Sequence, residues 1–381
     1  MKVIVVFLGD VMTCPPALSL VQVLNDLNLE TNIISVNSNK DEILKSIDNS
    51  HNVSVKILKT NDGKLSPIEK IKRTKELKKS LENYITKNYT NDSVIWAVGE
   101  IAIKYLRDVL KGKRYILHFL ELNEAIYKMP RERMFKINYV SLANDASVVL
   151  EAEYNRAHIL QAWWNLKEVP MVFPNKPYNK INIEKNSEIT SREDVKELME
   201  KLKDKKIILY QGIPTNERPL DEYIKAVGEL GDDYAFVMMT SGKKDPYPEL
   251  TYDNYHCIPF IKPPFHLEVT SRAYIGILSY VPVHNEFSIL NAVYCAPNKT
   301  WEYAKFGVPM ISNDVPGLKM TFSEYKCGET VEKLDKDLIK KAILTIENSY
   351  DLYQENAYKY YNSVDLHNRT KEILNKAFNK N

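Results

Sequence analysis

The stretch Ala296-Pro297-Asn298-Lys299-Thr300-Trp301-Glu302-Tyr303-Ala304-Lys305-Phe306-Gly307-Val308-Pro309-Met310-Ile311-Ser312 holds the pair of residues whose types and spacing are richest in chemistry. Pro297 and Asn298 open a helix, and the free backbone N–H groups and dipole of a helix start favour an anion. Lys299 adds a full positive charge to that end. Glu302 follows three residues later, which puts it on the same helical face. A carboxylate there is suited to accept two hydroxyl donors of a ribose. Gly307 and Pro309 end the helix and begin a strand. The plainer account is a surface helix on which Lys299 and Glu302 hold each other weakly. Periodicity alone does not separate the two.

His118 follows Tyr115-Ile116-Leu117 at the carboxyl end of an expected strand, with Glu121 and Glu124 just beyond. Ligands of open parallel sheets bind beyond those ends, which favours a functional reading. A single histidine among apolar residues is more often packed in a core. A helix over 67–89 carries Lys70, Lys72, Arg73, Lys75, Lys78, Lys79 and Lys87 against Glu69, Glu76 and Glu82. It reads either as a solvated face or as a surface that meets anionic lipid. Asp232-Asp233 follows a helix and reads as a solvated turn. No Asp-x-Asp stands at a strand end, and Cys14, Cys257, Cys295 and Cys327 form no C-x-x-C pair, so no metal is expected. Neither a G-x-G-x-x-G fingerprint nor a P-loop is present, which weighs against dehydrogenases and NTPases.

The elements that must position these residues alternate strand and helix twice over. Residues 3–8 are a continuous apolar run ending at Gly9, residues 17–27 have helical spacing, and residues 31–36 are apolar again. This is the opening βαβ unit of a parallel sheet buried on both faces. Strands at 53–58, 93–98, 114–120 and 147–150 continue it, with helices at 67–89 and 101–110. Residues 174–191 turn to Pro, Asn, Lys and Ser without periodicity, the composition of an exposed connection. A helix at 192–202 follows, then strands at 206–211, 234–239, 255–258, 274–280 and 309–312, with helices at 220–230, 267–271, 298–306 and from 335 onward. The reading is two Rossmann-like doubly wound α/β domains facing each other across a cleft: 1–175, 188–355, and C-terminal helices over 356–381 packing back on the first.

With 381 residues, 44% hydrophobic and 27% charged, two cores are expected rather than disorder or a fibre. A net charge of +2 gives no field that implies nucleic acid. The apolar start is cut short by Asp10 and offers no signal-peptide cleavage site, and no run reaches the length of a membrane span. A cytoplasmic protein is expected, with the inner face of the cell membrane as its site if the basic helix meets lipid.

The 296–312 stretch resembles the nucleotide-sugar site of the retaining GT-B glycosyltransferases of group 1 (family 4-like), with their Pro-x-Lys-x-x-Glu-Tyr start and Gly-x-Pro end. Ile208-Leu209-Tyr210-Gln211-Gly212 with Arg218-Pro219-Leu220-Asp221 resembles the strand and loop that bring a cation to the diphosphate. Tyr274-Ile275-Gly276-Ile277-Leu278-Ser279-Tyr280-Val281-Pro282 resembles the next core strand. Val169-Pro170-Met171-Val172-Phe173-Pro174-Asn175 resembles the strand that closes the N-terminal domain. The likeness spans most of residues 140–330, and the first 140 match mainly in architecture.

The resemblance implies transfer of a hexosyl or related group, with retention, from a nucleoside-diphosphate sugar to a glycan or lipid-linked acceptor, as in polysaccharide or glycoconjugate synthesis, without cofactor or metal. It puts the diphosphate on Arg218 and Lys299, the ribose on Glu302, and the base at the loop Pro259-Phe260-Ile261. The donor sugar falls among Gly9, His118, Glu286 and Phe287, near Gly212, with His118 beside the transferred sugar and Glu121 as an alternative acceptor-side base. Three positions depart from the family: Tyr294 stands where an earlier glutamate is common, Ile213 where an arginine often follows the glycine, and Gly9-Asp10 where two glycines are usual. A nucleotide-sugar epimerase on the same scaffold and a non-catalytic partner subunit are the rival readings.

Overall fold

The computed structural model describes residues 1–48, 51–58, 66–122, 124, 139–178, 182–241, 244–283 and 288–380, without the side chains of Pro67 and Lys70. Met1–Lys180 with Asp365–Asn381 forms one compact unit, and Ile181–Val364 forms the other.

In the first unit, β1 (Lys2–Phe7), β2 (Glu30–Val36), β3 (Val53–Leu58), β4 (Ser93–Val98), β5 (Tyr115–His118), β6 (Val148–Glu151) and β7 (Met171–Val172) make a seven-stranded sheet among the described residues, in the order β3-β2-β1-β4-β5-β6-β7. Every neighbouring pair is parallel. Val3 to Val6 and all of β4 are buried, as apolar runs must be when both faces of a parallel sheet are covered. The helix Pro67–Asn88 starts with a capping box, in which Ser66 Oγ accepts from the Glu69 amide at 3.3 Å and a Glu69 carboxylate oxygen accepts from the Ser66 amide at 2.7 Å. The last helix, Leu366–Asn379, buries Ile373, Leu374 and Ala377. Arg369 Nε donates to the Val172 carbonyl at 2.7 Å and Lys380 Nζ to the Ala146 carbonyl at 2.8 Å, which fixes that helix beside β6 and β7.

In the second unit, β8 (Lys206–Gln211), β9 (Tyr234–Thr240), β10 (Tyr255–Pro259), β11 (Ile275–Leu278), β12 (Met310–Asn313) and β13 (Gly328–Val331) form a six-stranded parallel sheet ordered β10-β9-β8-β11-β12-β13 among the described residues. Alternate residues of β8 serve opposite faces: Ile207 and Leu209 join the core with Trp301 and Tyr303, while Ile208 and Tyr210 join Tyr223 and Ile343. The strand expected over 274–280 is shorter, because Tyr280 leaves the ladder to pair with a side chain. Its amide donates to Asn313 Oδ1 at 2.8 Å and its carbonyl accepts from Asn313 Nδ2 at 2.6 Å. In each sheet the strand order reverses once, between β1 and β4 and between β8 and β11. The loops leaving those strands diverge there and open a crevice at their carboxyl ends.

Candidate functional site

The β8/β11 crevice holds the residues around Lys299. Gly212 follows β8 with a φ of 137°, a conformation that side chains rarely adopt. A Cβ on Gly212 would lie 3.1 Å from both Cε and Nζ of Lys299, so the missing side chain is the space the lysine uses. The helix Asn298–Lys305, which carries Lys299, is seated by Tyr303. Its hydroxyl donates to the Leu209 carbonyl at 2.9 Å, and its ring occupies the place of a side chain on Gly276 of β11. Lys299 Nζ is thereby buried with no hydrogen-bond partner among the described residues. It lies 4.5 Å from the ring centroid of Tyr210 and 5.6 Å from that of Tyr280. Burial, and then the nearby Arg218, pull its pKa down to about 7.

Arg218 sits on the loop after β8. That loop is tied down by the Val281 amide donating to the Glu217 carbonyl at 2.7 Å and by Ser279 Oγ donating to the Pro219 carbonyl at 2.8 Å. The Arg218 guanidinium lies 5.4 Å from the Tyr280 ring centroid and 3.6 Å from a Glu217 oxygen. Tyr280 is thus shared by both cations. Ile213, next to Gly212, is 56% exposed and adds no charge.

Glu302 is buried, and each of its oxygens has a protein partner. Gln211 Nε2 donates to one, and His266 Nε2 lies 3.2 Å from the other. Thr270 Oγ1 in turn donates to Gln211 Oε1 at 2.6 Å. The carboxylate is held in an internal network, and only its remaining lone pairs are open to a ligand. Gln211 and His266 were not singled out by sequence reasoning, since their link to Glu302 runs across 91 and 36 residues and leaves no local signal.

The carboxyl end of the first sheet has a different character. The Glu100 side chain accepts from the amides of Leu120 and Glu121 at 3.1 and 3.0 Å, which fixes the backbone that presents Glu121. The buried Arg156 donates to the Leu120 carbonyl at 3.3 Å. Glu151, at the end of β6, is fully buried; one oxygen accepts from the Ala152 amide at 3.0 Å, and the other has no partner among the described residues. Burial drives its pKa up to about 8 against the pull of Arg156, with Glu100 and Glu121 adding to the rise. Glu100, Glu151 and Arg156 were also missed, because a charged side chain near a strand or helix end reads as an ordinary cap or surface group until its burial is known. His118 ends β5 with 0% exposure, packed edge-on against Phe173 and Trp96 at 5.4 and 6.4 Å. Neither ring nitrogen has a hydrogen-bond partner among the described residues, and burial pulls its pKa down to about 3. It is packed as a neutral core side chain. Gly9 lies two residues past β1, and its carbonyl accepts from Ser35 Oγ at 2.6 Å.

No protein-family model matches the sequence, and no curated relative does. Solved structures match along the whole chain. The Anabaena protein HepE, in complex with UDP and glucose, aligns with a TM-score of 0.66 at 12% identity over 98% of this chain and 99% of its own. A glycosyltransferase from Rickettsia africae aligns with a TM-score of 0.66 at 14% identity, over 100% of this chain and 99% of its own. The chain has the GT-B fold. A Listeria monocytogenes protein described as a UDP-N-acetylglucosamine 2-epimerase also aligns, with a TM-score of 0.61 at 13% identity over 100% of this chain and 97% of its own.

The structure therefore brings Gly212, Arg218 and Lys299 to one crevice of the second unit, with Glu302 just inside it. Phe260, beyond β10, is 43% exposed, while the Ile261 side chain belongs to the core and offers only its backbone. Glu286 and Phe287 lie outside the described residues. Among the described residues, no group of three or more His, Cys, Asp or Glu is placed to hold a metal ion, and no helix is long and apolar enough to cross a membrane.

Proposed function

We propose that this chain transfers a hexosyl group from a nucleoside-diphosphate sugar to a glycan or lipid-linked acceptor, with retention and without a metal ion, in the synthesis of a cell-surface polysaccharide or glycoconjugate. The observation that carries the reading is the enclosed Lys299 side chain beside Gly212 and the Arg218 guanidinium, a rigidly held basic pair whose lysine nitrogen has no hydrogen-bond partner among the described residues. A departing nucleoside diphosphate gains negative charge as the glycosidic bond breaks. Cations held rigidly in a water-poor site stabilise that charge without reorganising. In this reading Arg218 and Lys299 grip the diphosphate, Glu302 takes the ribose hydroxyls on its remaining lone pairs, and the exposed Phe260 ring meets the base. Retention rests on the family resemblance. So does the placement of the acceptor beside Glu121 in the first unit.

The basic helix fits a lipid-linked acceptor on the inner face of the cell membrane. Leu81 and Ile85 anchor its second half, whereas Ile68 and Ile71 in its first half are 79% and 59% exposed among Lys72, Lys75 and Lys79. Exposed apolar side chains amid lysines suit an anionic bilayer surface. Neutralising these three lysines should lower sedimentation with anionic vesicles, and equal sedimentation of variant and parent would leave the helix as a solvated face.

The fold likeness to a protein described as an epimerase favours one second reading, epimerisation of a nucleotide-sugar. A panel of UDP-, GDP- and ADP-sugars separates the two. A transferase releases nucleoside diphosphate faster when acceptor is added, whereas an epimerase converts the sugar with the nucleotide still attached. Release of neither product from any member of the panel would refute both.

A further inference from the structure

The Lys299 ammonium sits in surroundings shaped for a cation and yet touches no counter-charge among the described residues. Its Nζ lies over the faces of Tyr210 and Tyr280 at 4.5 and 5.6 Å and against Gly212, with no hydrogen-bond acceptor. An aromatic face stabilises a cation by about 0.5 to 2 kcal/mol. Loss of hydration costs a buried ion several kcal/mol. The charged and titratable groups that bear on the amine are Arg218 and Glu217 on the loop after β8, Glu302 one turn along its own helix, Cys295 just before that helix, and the two tyrosines. Arg218 adds like charge over the shared Tyr280 ring. Both acids are engaged elsewhere: Glu302 by Gln211 and His266, and Glu217 by Arg218 at 3.6 Å. Among the described residues no further acid bears on the amine, and a bound anion can supply the charge that would hold a proton there.

We propose that nucleotide-sugar binding is coupled to protonation of Lys299, so that the diphosphate recruits a proton to the buried, unpartnered amine and creates its own counter-ion. This rests on the donor-site reading above. Its balance is one proton passing from solvent to the Nζ lone pair, with no bond of the donor made or broken. The amine titrates near pH 7 before the anion arrives, and an anion in contact raises that value again. One proton is then taken up per donor bound above about pH 7 and none well below it. Donor affinity is flat on the acid side and falls about tenfold per pH unit above, or about 10²-fold between pH 6 and 9. The coupling is selective by ligand charge, because a nucleoside without phosphates gives the proton no reason to bind.

Calorimetric titration of the full chain with UDP-glucose, in buffers of differing ionisation enthalpy, reads the proton directly, since the diphosphate of a nucleotide-sugar does not titrate in this range. ADP-glucose and GDP-mannose are the further probes if the base is not uracil. The expected result is close to one proton taken up per donor at about pH 8.5 and close to none at about pH 6, with uptake abolished in Lys299→Arg, whose guanidinium stays charged. Binding at the alkaline pH with the same heat in every buffer would overturn the proposal, and so would uptake that persists in Lys299→Arg. Absence of binding by all three probes in every buffer would instead sink the donor-site reading, and this proposal with it.

Discussion

Beyond the carboxyl ends of β8 and β11 the second unit gathers Arg218 and Lys299, whereas beyond β4, β5 and β6 the first unit gathers Glu100, Glu121 and Glu151. The two edges are built from the same parallel α/β plan. Buried ionisable atoms without a hydrogen-bond partner among the described residues occur at both edges, Lys299 Nζ at one and Glu151 Oε1 at the other among them. Burial pushes each toward its neutral form, the lysine to about 7 and the carboxyl to about 8. The backbone plan therefore leaves the charge of the edge undecided, and side chains set it. In the proposed function the diphosphate goes to the edge with the basic pair. A carboxylate-rich edge suits hydroxyl donors instead, the groups an acceptor sugar offers.

The sharpest way to break this contrast is to remove its cations. Arg218→Ala and Lys299→Ala should each lower turnover by about 10²-fold or more, the cost of losing a preorganised partner for a developing anion. The double variant should fall short of the product of the two if both grip one diphosphate. Near-parental rates in both single variants would move the donor site elsewhere. Next in size, Glu302→Ala should weaken donor binding by about 2 to 4 kcal/mol through lost ribose hydrogen bonds. It should also lower the melting temperature, since Gln211 and His266 lose their acceptor. A lowered melting temperature with unchanged calorimetric donor affinity would make Glu302 a purely internal tie.

The first unit gives a smaller effect with a definite pH signature. A carboxyl whose pKa rises on folding favours the folded state fully below its unfolded value, and that contribution is lost as pH climbs through about 8. Glu151→Gln keeps the shape without the charge. Its stability relative to the parent should therefore grow between about pH 4.5 and 8, by up to about 1.4 kcal/mol per pH unit in denaturant unfolding. A pH-independent difference would mean that Glu151 is paired in solution. The smallest effect is no effect: EDTA should leave turnover unchanged, since protein cations serve the leaving group. A rate lost in EDTA and restored by Mg²⁺ or Mn²⁺ would show that they do not.

The Lys299 and Glu302 pair was legible because helical spacing is local, and the strands were legible because a buried parallel strand is a continuous apolar run. Burial of the functional atoms was not legible. Whether Lys299 is a solvated surface lysine or an enclosed ammonium depends on Gly212, Tyr210 and Tyr280, which arrive from two other strands. His118 shows the opposite outcome at an equivalent place. It does end its strand, but Trp96 and Phe173 enclose the ring, a fact set by β4 and by the segment after β7 rather than by its neighbours in sequence. Glu100 and Glu151 of the first unit escaped notice for the same reason.

The helix Leu366–Asn379 that completes the first unit is made after the whole of the second unit. Chains emerge from the ribosome from the N-terminus and fold unit by unit. Here that order is inverted, because the segment Ile181–Val364 is made before the unit that holds residues 1–180 has received its final helix. Until then, the surface beside β6 and β7 that Ile373, Leu374 and Ala377 will cover stands open to other partners. A chain truncated after Val364 would thus present a complete second unit joined to an unfinished companion.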